Sequence, residues 1–91
     1  MAKKRERLEL IHDILITVRD NRNSIKPTRL LQMSNLSSQM FKDYISEMLD
    51  KGFIMEVEGK KKRKTFSLTE KGFRFLEKYQ VIQKLIDDFG L

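Results

Sequence analysis

The sequence has no cysteine, a single histidine and a single proline in 91 residues. Without cysteine there is no disulfide framework, no Cys-ligated zinc and no thiol catalysis, which is the composition a reducing cytosol permits. His12 stands alone, with no second histidine or thiol to share a metal ion or a catalytic proton, so it reads as a partly exposed helical residue. Long apolar runs are also missing. The longest, Ile14-Leu15-Ile16 and Phe53-Ile54-Met55, are three residues each, far below the roughly 20 of a membrane-spanning helix or the 7–15 of a secretory-signal core. There is no glycine-rich phosphate loop, no nucleophile with a base, and too little chain to wall off a pocket, so no enzyme and no cofactor are expected.

What is present is basic charge. Nineteen Lys and Arg against thirteen Asp and Glu leave +6, a surplus that attracts polyanions. It is concentrated in two places: residues 1–7 carry four bases and one acid, residues 58–64 carry five bases and one acid, and the remainder sums to −1. At this length the expectation is one domain over 1–91, with about 60–65% of the unfolded surface buried and a core that benefits from a partner. A cytoplasmic, nucleoid-associated location fits this composition.

Hydrophobic spacing divides the chain into elements. Leu8, Ile11, Leu15 and Val18 recur at steps of three and four and predict a helix over about 5–20. Asp20-Asn21-Arg22-Asn23-Ser24 then turns the chain, because these side chains compete for backbone hydrogen bonds. Pro27 suits a first helical turn, which places a short second helix from there to Ser34-Asn35. Ser37 is an N-cap for a third helix over about 38–51, carrying Phe41, Tyr44, Ile45, Met48 and Leu49, and Gly52 ends it in a left-handed position. Phe53 to Val57 and Thr65 to Leu68 read as two strands of a hairpin. The intervening Glu58 to Lys64 is too charged to bury and projects into solvent. Thr69 caps a fourth helix running to about Asp88, on which Leu68, Gly72, Phe75, Tyr79, Ile82, Ile86 and Phe89 alternate in steps of four and three, the seam of a coiled coil.

Two helices joined by a short turn, then a ribbon with a basic tip, are the order of a winged helix-turn-helix. The expected fold class is α+β, mostly α, with the winged helix over about 5–69 and a C-terminal dimerisation helix over about 70–89. Leu8-Glu9-Leu10-Ile11-His12-Asp13-Ile14-Leu15, Ser34-Asn35-Leu36-Ser37, Tyr44-Ile45-Ser46-Glu47-Met48-Leu49, Lys51-Gly52-Phe53-Ile54 and Leu68-Thr69-Glu70-Lys71-Gly72-Phe73-Arg74-Phe75-Leu76 resemble the small archaeal winged-helix proteins of the ten-a type. The similarity covers about residues 6–80. It implies a long C-terminal helix pairing antiparallel with its twin, and dimers that bind duplex DNA as chromosomal proteins or transcriptional regulators.

Candidate DNA-binding residues follow from the elements. The third helix presents Ser38, Gln39, Lys42 and Ser46, with Ser37 at its tip and Asp43 beside them, to a major groove roughly 12 Å wide. With two bases and three acids over 37–51, it suits weak base contact or shape reading better than tight sequence reading. Lys60, Lys61, Lys62, Arg63 and Lys64 on the wing would neutralise phosphates or enter a minor groove. Lys26, Thr28 and Arg29 on the first turn of the second helix would hold a phosphate at a helix N-terminus. Lys3, Lys4, Arg5 and Arg7 are either a second phosphate contact or a solvated end. Phe73, Phe75 and Leu76 would help to close the core. Phe75, Tyr79, Ile82, Leu85, Ile86 and Phe89 form the candidate homodimer interface, which would set two recognition helices roughly 34 Å apart on one face of a duplex. An alternative is a protein-interaction module of a transcription or replication assembly, docking through the third helix or the seam of the fourth, a reading supported by Asp43, Glu47 and Asp50 on the third helix. RNA duplexes stay open as ligands, although no aromatic stacking surface for single strands is evident.

Overall fold

A computed structural model of the chain describes residues 3–91, with side chains from residue 6 onward. The order is α1 (Lys3–Asp20), α2 (Pro27–Ser34), α3 (Ser38–Asp50), β1 (Ile54–Glu58), a single 3-10 turn at Lys60–Lys62, β2 (Lys64–Leu68) and α4 (Glu70–Asp88). The side chains of Lys3, Lys4 and Arg5 lie outside the described residues.

Local chemistry sets the boundaries. At α3 the Ser37 hydroxyl accepts the amide of Met40 at 3.2 Å, satisfying one of the helix's orphan donors. At its other end Gly52 adopts φ +78°, while the Phe53 amide donates to Met48 O (2.9 Å) and the Gly52 amide to Leu49 O (3.2 Å). These two bonds make a Schellman motif. They occupy the Phe53 backbone, so β1 begins at Ile54 rather than at Phe53. The α4 N-cap, Thr69, accepts the Gly72 amide at 3.1 Å and donates its own hydroxyl to Gly52 O at 2.5 Å, which ties the start of α4 to the end of α3.

β1 and β2 pair antiparallel, Ile54 opposite Leu68 through Glu58 opposite Lys64. A third strand one residue long joins them: Ile25 and Phe66 exchange backbone hydrogen bonds of 3.1 and 2.8 Å. The sequence pattern did not reveal it, since a single residue has no periodicity. Asn23 locks the same corner. Its carboxamide oxygen accepts the Leu68 amide at 2.7 Å, and its backbone carbonyl accepts the hydroxyl of buried Ser67 at 2.6 Å.

The core lies where α1, α2, α3, the ribbon and the first half of α4 meet, and Leu15, Val18, Leu30 and Met48 are completely enclosed. Burial of this kind contributes about 1.5–3 kcal/mol per large aliphatic side chain. α4 packs along α1. There Tyr79 stacks on the ring of His12 with centroids 4.1 Å apart, and Phe75 meets the edge of Phe53 at 5.3 Å. Leu76 is buried as expected, but Phe73 is 39% exposed, because its position on α4 turns it toward the cleft beside Arg19 and Glu77 and away from the core.

Candidate nucleic-acid interface

α2, the turn through Asn35, and α3 form a helix-turn-helix, and the ribbon after it is the wing. Asn35 makes the turn by taking φ +59°, a left-handed conformation that Asn tolerates better than most residues. Ser38, Gln39, Lys42, Asp43 and Ser46 are all exposed on α3. The Gln39 amide nitrogen donates to Asp43 Oδ1 at 3.1 Å, so the acid on this face is engaged by the side chain expected to read bases. Glu47 is not a free docking group: it is half-buried, and its Oε2 receives both Arg7 of α1 and Lys51. Arg7 is therefore spent on positioning α3.

Two clefts gather some of the candidate residues, while Lys26, Arg29, Ser37, Gln39, Lys62 and Lys64 line neither. One, of about 490 Å³, is lined by Pro27, Thr28 and Leu31 of α2, by Ser38, Phe41, Lys42, Ile45 and Ser46 of α3, and by Phe66 of β2. The other, of about 500 Å³, is lined by Ser24, Val57, Gly59, Lys60, Lys61, Arg63 and Thr65. Phe66 of β2 lines the first and its neighbour Thr65 the second, and consecutive strand residues face opposite sides of the ribbon. No acid lines either one. Among the described residues Lys26, Arg29, Lys42, Lys60, Lys61, Lys62 and Arg63 have no ion-pair partner, while Lys64 Nζ lies 3.7 Å from Glu56. Ser24 and Thr65 were missed from sequence, because only the hairpin's return past the α1–α2 turn brings them beside the wing bases.

The wing tip is tightly wound. Lys61 and Lys62 both have left-handed φ, +58° and +59°, and the Gly59 amide donates to Arg63 O at 2.6 Å across the neck. Five exposed bases are thereby held on a short turn. Of the expected interface on α4, Phe75 and Tyr79 are half-buried against Phe53 and His12 of their own chain, Ile86 is half-buried, and Ile82, Leu85 and Phe89 are exposed at 50%, 53% and 70%. Among the described residues no group of three or more His, Cys, Asp or Glu is placed to hold a metal ion, and no helix is long and apolar enough to cross a membrane.

A helix-turn-helix with a two-stranded wing defines the class: a winged helix. The chain belongs to the winged helix-turn-helix family, whose model matches residues 4–87. It is 32% identical over 83 residues to the uncharacterized protein MJ0290 of Methanocaldococcus jannaschii, covering 91% of this chain and 36% of that protein. The chain thus spans about a third of the length of this relative. Its fold is similar to that of a MarR family transcriptional regulator from Silicibacter pomeroyi DSS, with a TM-score of 0.66 at 20% identity over 98% of this chain and 58% of the other.

Proposed function

We propose that this protein is a non-enzymatic double-stranded DNA-binding protein, a homodimeric winged helix of the ten-a type that acts as a transcriptional regulator or a chromosomal architectural protein. The observation that carries this proposal is the pair of acid-free clefts on α2, α3 and the wing, bordered by lysines and an arginine that no carboxylate neutralises. In this reading α3 lies in the major groove with Ser37, Ser38, Gln39, Lys42 and Ser46 toward the bases. Lys26, Thr28 and Arg29 hold one phosphate strand, and Lys60 to Lys64 hold another. Unpaired bases suit this task because phosphate binding gains its free energy from released counterions, and an internal ion pair would have to be broken first. Base reading is modest, since Gln39 is already bonded to Asp43. The exposed Ile82, Leu85 and Phe89 supply the dimer contact.

The test is a fluorescence-anisotropy titration of a mixed-sequence duplex of about 30 base pairs at several salt concentrations. The expected log–log slope is about −4 or steeper, the mark of several neutralised phosphates. No binding at low salt overturns the proposal.

A further inference from the structure

The wing is fastened at more than its foot. There the Thr69 amide donates to Phe53 O at 3.1 Å, closing the ribbon where it leaves α3 and enters α4. Held only at that point, a two-stranded ribbon would be free to swing, since a hairpin on its own is at best marginally stable. A second fastening lies above the foot, on the turn between α1 and α2. Asn23 Oδ1 accepts the Leu68 amide at 2.7 Å, and Asn23 O accepts the Ser67 hydroxyl at 2.6 Å. Two residues on, Ile25 exchanges hydrogen bonds of 3.1 and 2.8 Å with Phe66. Three consecutive residues of β2 are thus bonded to one turn far back in the sequence. Ser67 is the one buried polar side chain among the described residues, and its hydroxyl is spent on this turn. The turn itself is held in a costly shape: Arg22 and Asn23 both have left-handed φ, +62° and +55°, which persists only where the surroundings over-determine it.

We propose that Asn23 is a positioning residue for DNA binding: with Ser67 and the Ile25–Phe66 bridge it fixes the direction of the wing relative to α2 and α3. The turn that carries Asn23 runs straight into the start of α2, with Lys26, Thr28 and Arg29, while β2 leads from the same corner to the wing bases. Lys62 at the tip is four residues beyond Phe66, at most about 13 Å along a strand. A tilt of about 20° at the corner displaces that tip by about 4–5 Å, more than the roughly 3.4 Å of helix axis per nucleotide of one strand. A loose corner therefore takes the wing lysines out of register with phosphates while α3 stays in its groove. A fixed corner lets α3 and the wing engage one duplex without first being ordered against each other, and such preorganisation raises affinity. This role rests on the DNA-binding proposal; the corner's hold on the wing does not.

The chain has no cysteine, so spin labels can be attached at Gln32→Cys on α2 and Glu58→Cys on the wing, both exposed, and their separation read by pulsed electron resonance in the full chain. A narrow distribution is expected with Asn23 in place. Asn23→Gly keeps the left-handed φ and removes the acceptor, and it should make the distribution about twice as broad. Ser67→Ala removes one hydroxyl alone and should broaden it less, so it repeats the test in a milder variant. Equal widths in all three proteins overturn the corner's hold on the wing. Duplex affinity is then measured well below the melting temperature, with folding confirmed by circular dichroism, so that lost stability by itself leaves the value unchanged. Asn23→Gly should weaken binding about fivefold, because the duplex must then order the wing. It should also reduce the penalty of changing Lys60, Lys61, Lys62 and Arg63 to Gln, a coupling that a double-mutant cycle reads directly. Strictly additive losses, or an unchanged affinity, overturn the positioning role and leave DNA binding standing. A wild type that binds no duplex at low salt retires the DNA reading and the positioning role with it, and the label widths still decide whether the corner holds the wing.

Discussion

Gly72 lies against the carbonyl oxygen of Phe53 so closely that a Cβ placed on it would overlap that oxygen. The contact is backbone to backbone, so no rotamer change relieves it, and it joins the α3–β1 turn to the first turn of α4. Gly72→Ala gains about 1 kcal/mol in helix propensity, yet overpacking a filled site costs about 1–3 kcal/mol. The expected net effect is a loss of stability, read as a lower urea midpoint at unchanged m-value. A stability gain would show that α4 does not press on Phe53.

Asn23 gives a second test of the framework. It holds φ +55° and presents its carboxamide oxygen to the Leu68 amide. Asn23→Gly keeps the backbone conformation and removes only the acceptor, at about 1–3 kcal/mol for a part-buried donor left unpaired. Asn23→Ala adds the left-handed penalty of about 1–2 kcal/mol. Thermal denaturation should therefore rank wild type above Gly and Gly above Ala. Equal stability for the two variants would mean that the turn relaxes out of the left-handed region.

How far these features could be read in advance depended on how local they are. Ser37, Gly52, Pro27 and Thr69 act on backbone groups within a few residues of themselves, so their types were enough to place the ends of α2, α3 and α4. The single-residue bridge of Ile25 with Phe66 and the stacking of His12 on Tyr79 join positions far apart in sequence, and neither leaves a periodic trace. Gly72 is the instructive case. Its place on a four-three stripe looked like a seam position, but such a stripe only marks a buried face and does not say whether the same chain or another buries it. The candidate DNA residues were legible as bases and hydroxyls on given elements. That Thr28 and Lys42 share one cleft, and that Ser24 and Thr65 join the wing bases in another, required the fold.

Neutralising the wing tip should act on affinity without touching stability. Lys60, Lys61, Lys62 and Arg63 are exposed and unpaired, so changing all four to Gln breaks no ion pair within the protein. Each one that neutralises a phosphate contributes about 0.9 to the slope of log affinity against log salt. The slope should become shallower by that amount for every phosphate no longer neutralised, to a similar degree on every duplex sequence, with the melting temperature held. Gln39→Ala should do the reverse, narrowing discrimination between sequences more than it lowers overall affinity. An unchanged slope in the wing variant would remove the wing from the interface.

The proposed division of the α4 stripe between the protomer's own core and a dimer contact can be measured. Phe75 and Tyr79 are engaged by Phe53 and His12 within the chain, so Phe75→Ala should lower the stability of the protomer whatever its oligomeric state. Ile82 and Phe89 are 50% and 70% exposed, so the double variant Ile82→Ala with Phe89→Ala should leave the protomer's fold intact and shift sedimentation toward the monomer. Without the dimer there is no second wing on the same particle. Linked sites gain affinity because the second one engages at high effective concentration, so the monomeric variant should bind duplex more weakly and with about half the salt slope of the dimer. A dimer of unchanged mass in this variant would place the interface on another surface, and a monomeric wild type would make α4 a purely structural helix.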